Sequence, residues 1–321
     1  MSSRILLTGA TGFVGKAVLE KLRQLGHSVV IAVRQPEVEQ TAATEVFHCA
    51  QLDGDADWSP ALGDVGTVIH CAARVHVMND TEPDPLAAFR RINVDGTVNL
   101  ARQAAAAGVR RFVFVSSIKV NGEGTVKGRP YKPDDVPAPV DPYGVSKREA
   151  EDALLRLAQE TGLEVVIIRP VLVYGPGVKA NFQAMMRWLD KGVPLPFGAI
   201  DNRRSLVALD NLVDLIITCM DHPGAANQTF LVSDGEDLST TGLLRRMAAA
   251  LGRPARLLPV PSMLLELAAT LLGKRALSQR LCGSLQVDIE KTRSLLGWTP
   301  PVSVDDALRQ AARHFQEDTK K

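Results

Sequence analysis

The chain is poor in cysteine, almost free of net charge and without a long apolar run. Each shortage removes a class of protein. The four cysteines, Cys49, Cys71, Cys219 and Cys282, are too widely spaced for a structural zinc site or a secreted disulfide framework. They read as reduced core residues, and no metal site is expected. The 37 basic side chains are offset by 36 acidic ones, a net charge of +1, which leaves no electrostatic footprint for nucleic acid. With 45% hydrophobic residues the composition is not that of a disordered chain either. The longest apolar stretch near the C-terminus, residues 263–272, is interrupted by Glu266 and is too short to span a bilayer. Met1-Ser2-Ser3-Arg4 runs directly into a β-prone segment, without a secretory leader. A cytoplasmic protein with no membrane span is the expectation. Internal repeats and low-complexity segments are absent, and the alanines at 104–107 are simply strong helix formers.

What the sequence does contain begins with a strand and a glycine-rich turn. Arg4-Ile5-Leu6-Leu7-Thr8 is β-prone, and Gly9, Gly12 and Gly15 follow at three-residue intervals before an apolar-periodic helix. In such a turn Gly9 permits the sharp bend. Gly12 lets backbone N–H groups approach a pyrophosphate, and Gly15 lets the helix pack closely on the sheet. The helix N-terminus supplies an anion site. Further on, Tyr143 and Lys147 stand four residues apart, on one face of a helix. A phenol titrates near ~10 in water and needs a neighbouring cation to exchange protons near neutrality.

Strand-like runs at 5–8, 28–33, 67–71, 111–116, 164–169 and 229–232 alternate with helical patterns at 12–25, 85–108 and 143–160. That alternation predicts an α/β fold with a doubly wound parallel sheet. Gly26, Gly108 and Gly162 sit where helix C-terminal glycines belong.

The T-G-x-x-G-x-x-G turn joined to Y-x-x-x-K resembles the extended short-chain dehydrogenase/reductase family, in its nucleotide-sugar branch of epimerases, dehydratases and 4-ketoreductases. The resemblance implies a Rossmann domain over residues 1–170 and a smaller, mainly substrate-binding C-terminal lobe over 171–321, with a segment near 205–233 returning to the core. It implies Ser117, Tyr143 and Lys147 as the catalytic residues, Lys147 also holding the nicotinamide ribose and lowering the Tyr143 pKa. Cofactor contacts are implied for Gly9, Thr11, Gly12, Phe13, Val14, Gly15, Gln51, Leu52, Cys71, Ala72, Ala73, Asn93, Tyr143, Lys147 and Pro170. Substrate contacts are implied for Ser117, Lys119, Asn181, Phe182, Arg204 and Arg280.

Three departures refine the reading. Where NAD-specific units carry an acidic residue after the second strand, this chain has Val33 followed by Arg34. A guanidinium there suits a 2′-phosphate, so NADP(H) is the favoured cofactor and NAD(H) the alternative. The dehydratases of the branch carry Asp-Glu after the serine; here Ile118 and Lys119 cannot perform that acid step. Leu172 also replaces an asparagine that epimerases keep. The resulting expectation is an NAD(P)-dependent enzyme acting at C4 of a UDP-sugar. Its preferred reaction is reduction of a UDP-4-keto-6-deoxy-N-acetylhexosamine, giving UDP-N-acetylquinovosamine for surface polysaccharide. The alternatives are a UDP-hexose or UDP-N-acetylhexosamine 4-epimerase with tightly bound NAD, and a non-catalytic dinucleotide sensor. A homodimer through helices 85–108 and 143–160 is expected, on the ground that apolar stripes there need cover.

Overall fold

The computed structural model describes residues 4–34, 44–75, 82–273 and 275–320. The first half runs β1 (Arg4–Thr8), α1 (Phe13–Gln24), β2 (Val29–Val33), β3 (Thr44–His48), β4 (Val65–His70), α2 (Pro85–Arg90), α3 (Thr97–Ala106), β5 (Arg111–Val115), α4 (Pro142–Thr161) and β6 (Glu164–Pro170). After it come β7 (Leu172–Tyr174), α5 (Ala180–Asp190), β8 (Arg204–Ala208), α6 (Leu209–Asp221), β9 (Gln228–Val232) and β10 (Asp237–Leu238). The chain closes with α7 (Thr240–Ala250), α8 (Ser262–Leu271), α9 (Arg275–Cys282), α10 (Glu290–Leu296) and α11 (Val304–Lys320).

Seven strands form one parallel sheet in the order β3-β2-β1-β4-β5-β6-β9. The order reverses direction between β1 and β4, so their carboxyl ends open a crevice, the place where such sheets bind ligands. The central strands are apolar on both faces, β1 and β5 almost without interruption, because helices cover each side. One face packs α1 and α6 around Val18, Leu22, Leu212 and Ile216; the other packs α3 and α4 around Leu100, Ala104, Leu154 and Leu157. A second, three-stranded sheet, β10-β8-β7, and helices α5, α7 and α11 enclose a separate core that includes Phe182, Met247 and Phe315. Thus β8 joins the small sheet, whereas α6 and β9 rejoin the large one.

Within the Rossmann half, two elements differ from the pattern read in the sequence. β3 went unread because it is an edge strand with only Thr44 fully buried, which leaves little hydrophobic alternation. The helix expected over 85–108 is two α-helices joined by a π-helical stretch, Arg91–Gly96; periodicity cannot reveal a local change from four- to five-residue hydrogen bonding. The apolar residues expected to need cover there, such as Leu86, Val98, Val145 and Leu155, are half-buried. Among the described residues, no large hydrophobic side chain of α2, α3 or α4 is exposed. Leu25, at the end of α1, and several residues of α8 are exposed instead.

Candidate active site

The glycine turn has the geometry its spacing implies. Gly9 adopts φ +72°, and a Cβ there would lie 2.7 Å from the Ala72 nitrogen. A Cβ on Gly15 would lie 2.1 Å from the Gly9 carbonyl oxygen, so helix and turn meet backbone to backbone. At Gly12 the same oxygen, 3.2 Å away, is the only near neighbour, and the space beyond it is open. No side chain caps the start of α1, and its first turn carries no acidic residue. Those N–H groups therefore present the positive end of a twelve-residue helix to the crevice, which fits a dinucleotide pyrophosphate. Thr11 is exposed, while Phe13 and Val14 are half-buried.

At the floor of the crevice β4 delivers Cys71, Ala72 and Ala73, the first tied to β1 by its N–H on the Thr8 carbonyl at 3.3 Å. Beneath them the buried His70 ring lies between two threonine hydroxyls, 2.7 Å from Thr8 Oγ1 and 3.0 Å from Thr97 Oγ1. Burial pulls its pKa down to about 3, so this imidazole is neutral. Arg34, immediately after β2, is exposed and has no ion-pair partner among the described residues. Gln51 is exposed, and the Leu52 carbonyl lies against Gly96, where a Cβ would approach it to 2.7 Å.

The π-helical stretch explains Asn93. The distorted turn aims its side chain inward, where Oδ1 accepts from the Arg74 N–H at 2.8 Å. Its Nδ2 donates to the Arg74 carbonyl and to Ser146 Oγ, both at 3.0 Å. Asn93 thereby ties the chain after β4 to α4.

β5 and α4 bring Ser117, Tyr143 and Lys147 together. Tyr143 occupies the first turn of α4, whose N-cap is Asp141, with Oδ1 accepting from the Gly144 N–H at 2.7 Å. Its ring meets Phe89 edge-on, centroids 6.0 Å apart. The side chain is half-buried, with its phenol end surrounded by protein. Burial, reinforced by the Asp141 charge, pushes the phenol pKa up to about 12, against the opposing effect of a hydrogen bond with Ser117.

Lys147 departs from expectation. It does not depress the phenol. Its ammonium donates to the Val115 carbonyl at 2.8 Å and stands 4.0 Å above the Phe114 ring. Burial lowers its own pKa to about 7, opposed by the Glu151 charge.

Glu151 was not singled out in the sequence, although it lies one helical turn beyond Lys147 on the same face. It is fully buried, accepts from Ser116 Oγ, and meets Arg169 in three contacts of 2.6, 3.0 and 3.2 Å. Arg169 also donates to Asn121 Oδ1 at 3.0 Å and the Pro133 carbonyl at 3.1 Å, and buried Pro170 follows it at the end of β6. One carboxylate thus links β5, α4 and β6 beneath the trio.

The expected substrate contacts are more scattered. Lys119 is paired with Asp141 and, at 2.9 Å, with Glu123. Phe182 is core, stacked on Tyr174 with centroids 5.3 Å apart, so only its backbone is available to a ligand; Asn181 beside it is exposed. Arg204 donates to the Gly283 carbonyl at 3.0 Å, and its pKa is lowered by burial and by the charge of Arg280. These two guanidiniums face one region, and neither has a carboxylate partner among the described residues.

The profile of the NAD dependent epimerase/dehydratase family matches residues 5–233. The chain belongs to that family. Within it, the chain is 50% identical over 316 residues to a UDP-glucose 4-epimerase of Vibrio cholerae, spanning 98% of this chain and 96% of that protein. Its fold is similar to that of MoeE5 solved in complex with UDP-glucose and NAD, with TM-score 0.77 and 25% identity over 98% of this chain and 99% of the other. It also matches the UDP-glucose 4-epimerase of Thermotoga maritima solved with UDP-glucose, with TM-score 0.76 and 23% identity, over 98% and 99% of the two chains. Family membership and the parallel sheet with its C-terminal lobe therefore agree.

Proposed function

We propose that this protein is a nicotinamide-dependent enzyme acting at C4 of a UDP-sugar, and that it works as a 4-ketoreductase. The observation that supports the direction is Arg34, exposed just after β2 where Val33 offers no carboxylate to a ribose diol, which suits an exchangeable NADP(H). With a pKa near 12, Tyr143 holds its proton at neutral pH, as a donor to a carbonyl oxygen must. Ser117 hydrogen-bonds the same oxygen and orients it. As C4 receives hydride, the C=O π bond breaks towards oxygen, the Tyr143 proton moves onto that oxygen, and the product is a secondary alcohol. A dinucleotide held on the α1 turn would supply the hydride. Lys147 holds the ribose beside it, while the small side chains of Ala72 and Ala73 leave room for close approach. Arg34, exposed and without an ion-pair partner among the described residues, favours NADP(H) through a 2′-phosphate contact, with NAD(H) the alternative. Arg204 and Arg280 take the diphosphate, and Asn181 adds an amide contact. The Rossmann part, about residues 1–170, carries the chemistry and the remainder chiefly holds the substrate. The products would serve surface-polysaccharide synthesis, and the active form would be a cytoplasmic homodimer.

The name of the Vibrio cholerae relative favours a second reading, 4-epimerisation with a retained NAD. Both readings are tested by one comparison. UDP-4-keto-6-deoxy-N-acetylglucosamine is incubated with NADPH or NADH, and UDP-glucose and UDP-N-acetylglucosamine are incubated without added cofactor. Reduction of the keto-sugar, faster with NADPH, is the expected result. Epimerisation alone would replace reductase by epimerase, and no turnover of any sugar by freshly purified protein would remove both.

A further inference from the structure

We propose that α8 is an interfacial helix that docks this protein on an anionic bilayer surface. The inference stands apart from the sugar assignment and rests on two features of the lobe. The first is an uncovered apolar face. α8 packs mainly against α9, and none of its ten residues is buried. Met263, Leu264, Leu267 and Leu271 recur at helical spacing on one side, and with Leu272 they are 55–79% exposed. Leu258, on the segment leading into the helix, is 52% exposed as well. Five large apolar residues in ten positions far exceed the scattered exposure normal for a soluble surface.

The second feature is charge. The chain as a whole is nearly neutral, yet its sequence from 253 to 280 has five basic residues, Arg253, Arg256, Lys274, Arg275 and Arg280, against one acid, Glu266; of these, Arg253 is held by Asp190 at 3.0 Å. Arg280 is exposed on α9, the helix that α8 packs against. An apolar stripe flanked by cations is the composition of helices that lie in the headgroup region of anionic membranes. No helix among the described residues is long and apolar enough to cross a bilayer, so this one lies on it. A second copy of the chain would cover the leucines equally well, but a self-pairing face gains nothing from a like-charged surround.

Vesicle flotation tests the proposal, using vesicles of equal parts phosphatidylcholine and phosphatidylglycerol beside vesicles of phosphatidylcholine alone. The protein is expected to float with the anionic vesicles, to float less with the neutral ones, and to be released by added salt. Leu267→Asp with Leu271→Asp should lower the bound fraction about tenfold or more, because two side chains that enter the interface no longer do. Thermal melting should be unchanged, and so should turnover of a dissolved UDP-sugar. Met263→Ser with Leu264→Ser serves as a milder pair. Absence of the wild type from anionic vesicles, or unaltered flotation of both variant pairs, overturns the proposal. So does sedimentation showing that these leucines hold two copies together. Turnover is read separately, so a wrong sugar leaves the flotation result intact.

Discussion

The charges beneath Ser117, Tyr143 and Lys147 and those around Arg204 and Arg280 are handled in opposite ways. Below Tyr143 and Lys147, Glu151 and Arg169 are almost completely buried, and each is satisfied by the other and by neighbouring polar groups. Arg204 and Arg280 stand near each other, and neither has a carboxylate partner among the described residues. A closed set of opposite charges fixes geometry at a desolvation cost. A like-charged pair is unfavourable until an anion arrives. On the function proposed above, the first arrangement gives support and the second recognition, so perturbing each should disturb a different observable.

The largest effect is expected at the trio itself. Tyr143→Phe keeps the ring contact with Phe89 and removes the proton donor, so turnover should fall about 10²–10⁴-fold. Substrate affinity measured by calorimetry should hardly change. Retention of most of the rate would break the assignment. Glu151→Ala comes next, on stability: it leaves Arg169 as an uncompensated buried charge, which typically costs about 3–5 kcal/mol, read as a lowered denaturation midpoint. Arg204→Ala should raise KM roughly ten-fold or more and leave the melting temperature close to wild type, since it removes a contact to charged oxygens worth about 1.5–3 kcal/mol. If Arg204→Ala unfolds the protein, or Glu151→Ala leaves it equally stable, the contrast between support and recognition fails.

The smaller effects concern pH and cofactor choice. Folding lowers the Lys147 pKa from 10.5 to about 7. The unfolded chain therefore binds more protons across that window, and this group's contribution to stability rises with pH through it. A rate that needs the ammonium falls as pH climbs through about 7, and the kcat/KM profile should show that limb. Glu151→Gln removes the charge that raises the Lys147 pKa, so the limb should move to lower pH. Smallest of all, Arg34→Ala should weaken NADP(H) binding and spare NAD(H); equal losses would remove its role in cofactor choice.

Much of the Rossmann half was legible in the sequence because its signals are local. Gly9, Gly12 and Gly15 act within one turn, and Tyr143 and Lys147 within one helical turn. The ends of α1, α3 and α4 carry Gly26, Gly108 and Gly162 at φ near +80°, as their positions implied. What stayed hidden depends on distant partners. Glu151 gains its meaning from Arg169 and Ser116, and His70 from Thr8 and Thr97, across strands that no periodicity connects. Lys119 reads as a substrate contact in the sequence, and only the fold brings Asp141 to it. The Lys147 ammonium likewise proved to be held by the Val115 carbonyl and the Phe114 ring, which is why it does not tune the phenol.

The π-helical stretch at Arg91–Gly96 makes the spacing of the chain, as well as its residue types, a constraint. One residue more than a regular helix needs is stored in that turn. Deleting a single residue there would let an unbroken α-helix form across the segment, with its flanks near their present faces but without the wide turn that places Asn93. Asn93 would then swing away from Arg74 and Ser146. Single-residue shortening should therefore be tolerated far less here than most substitutions on the exposed side of the same segment.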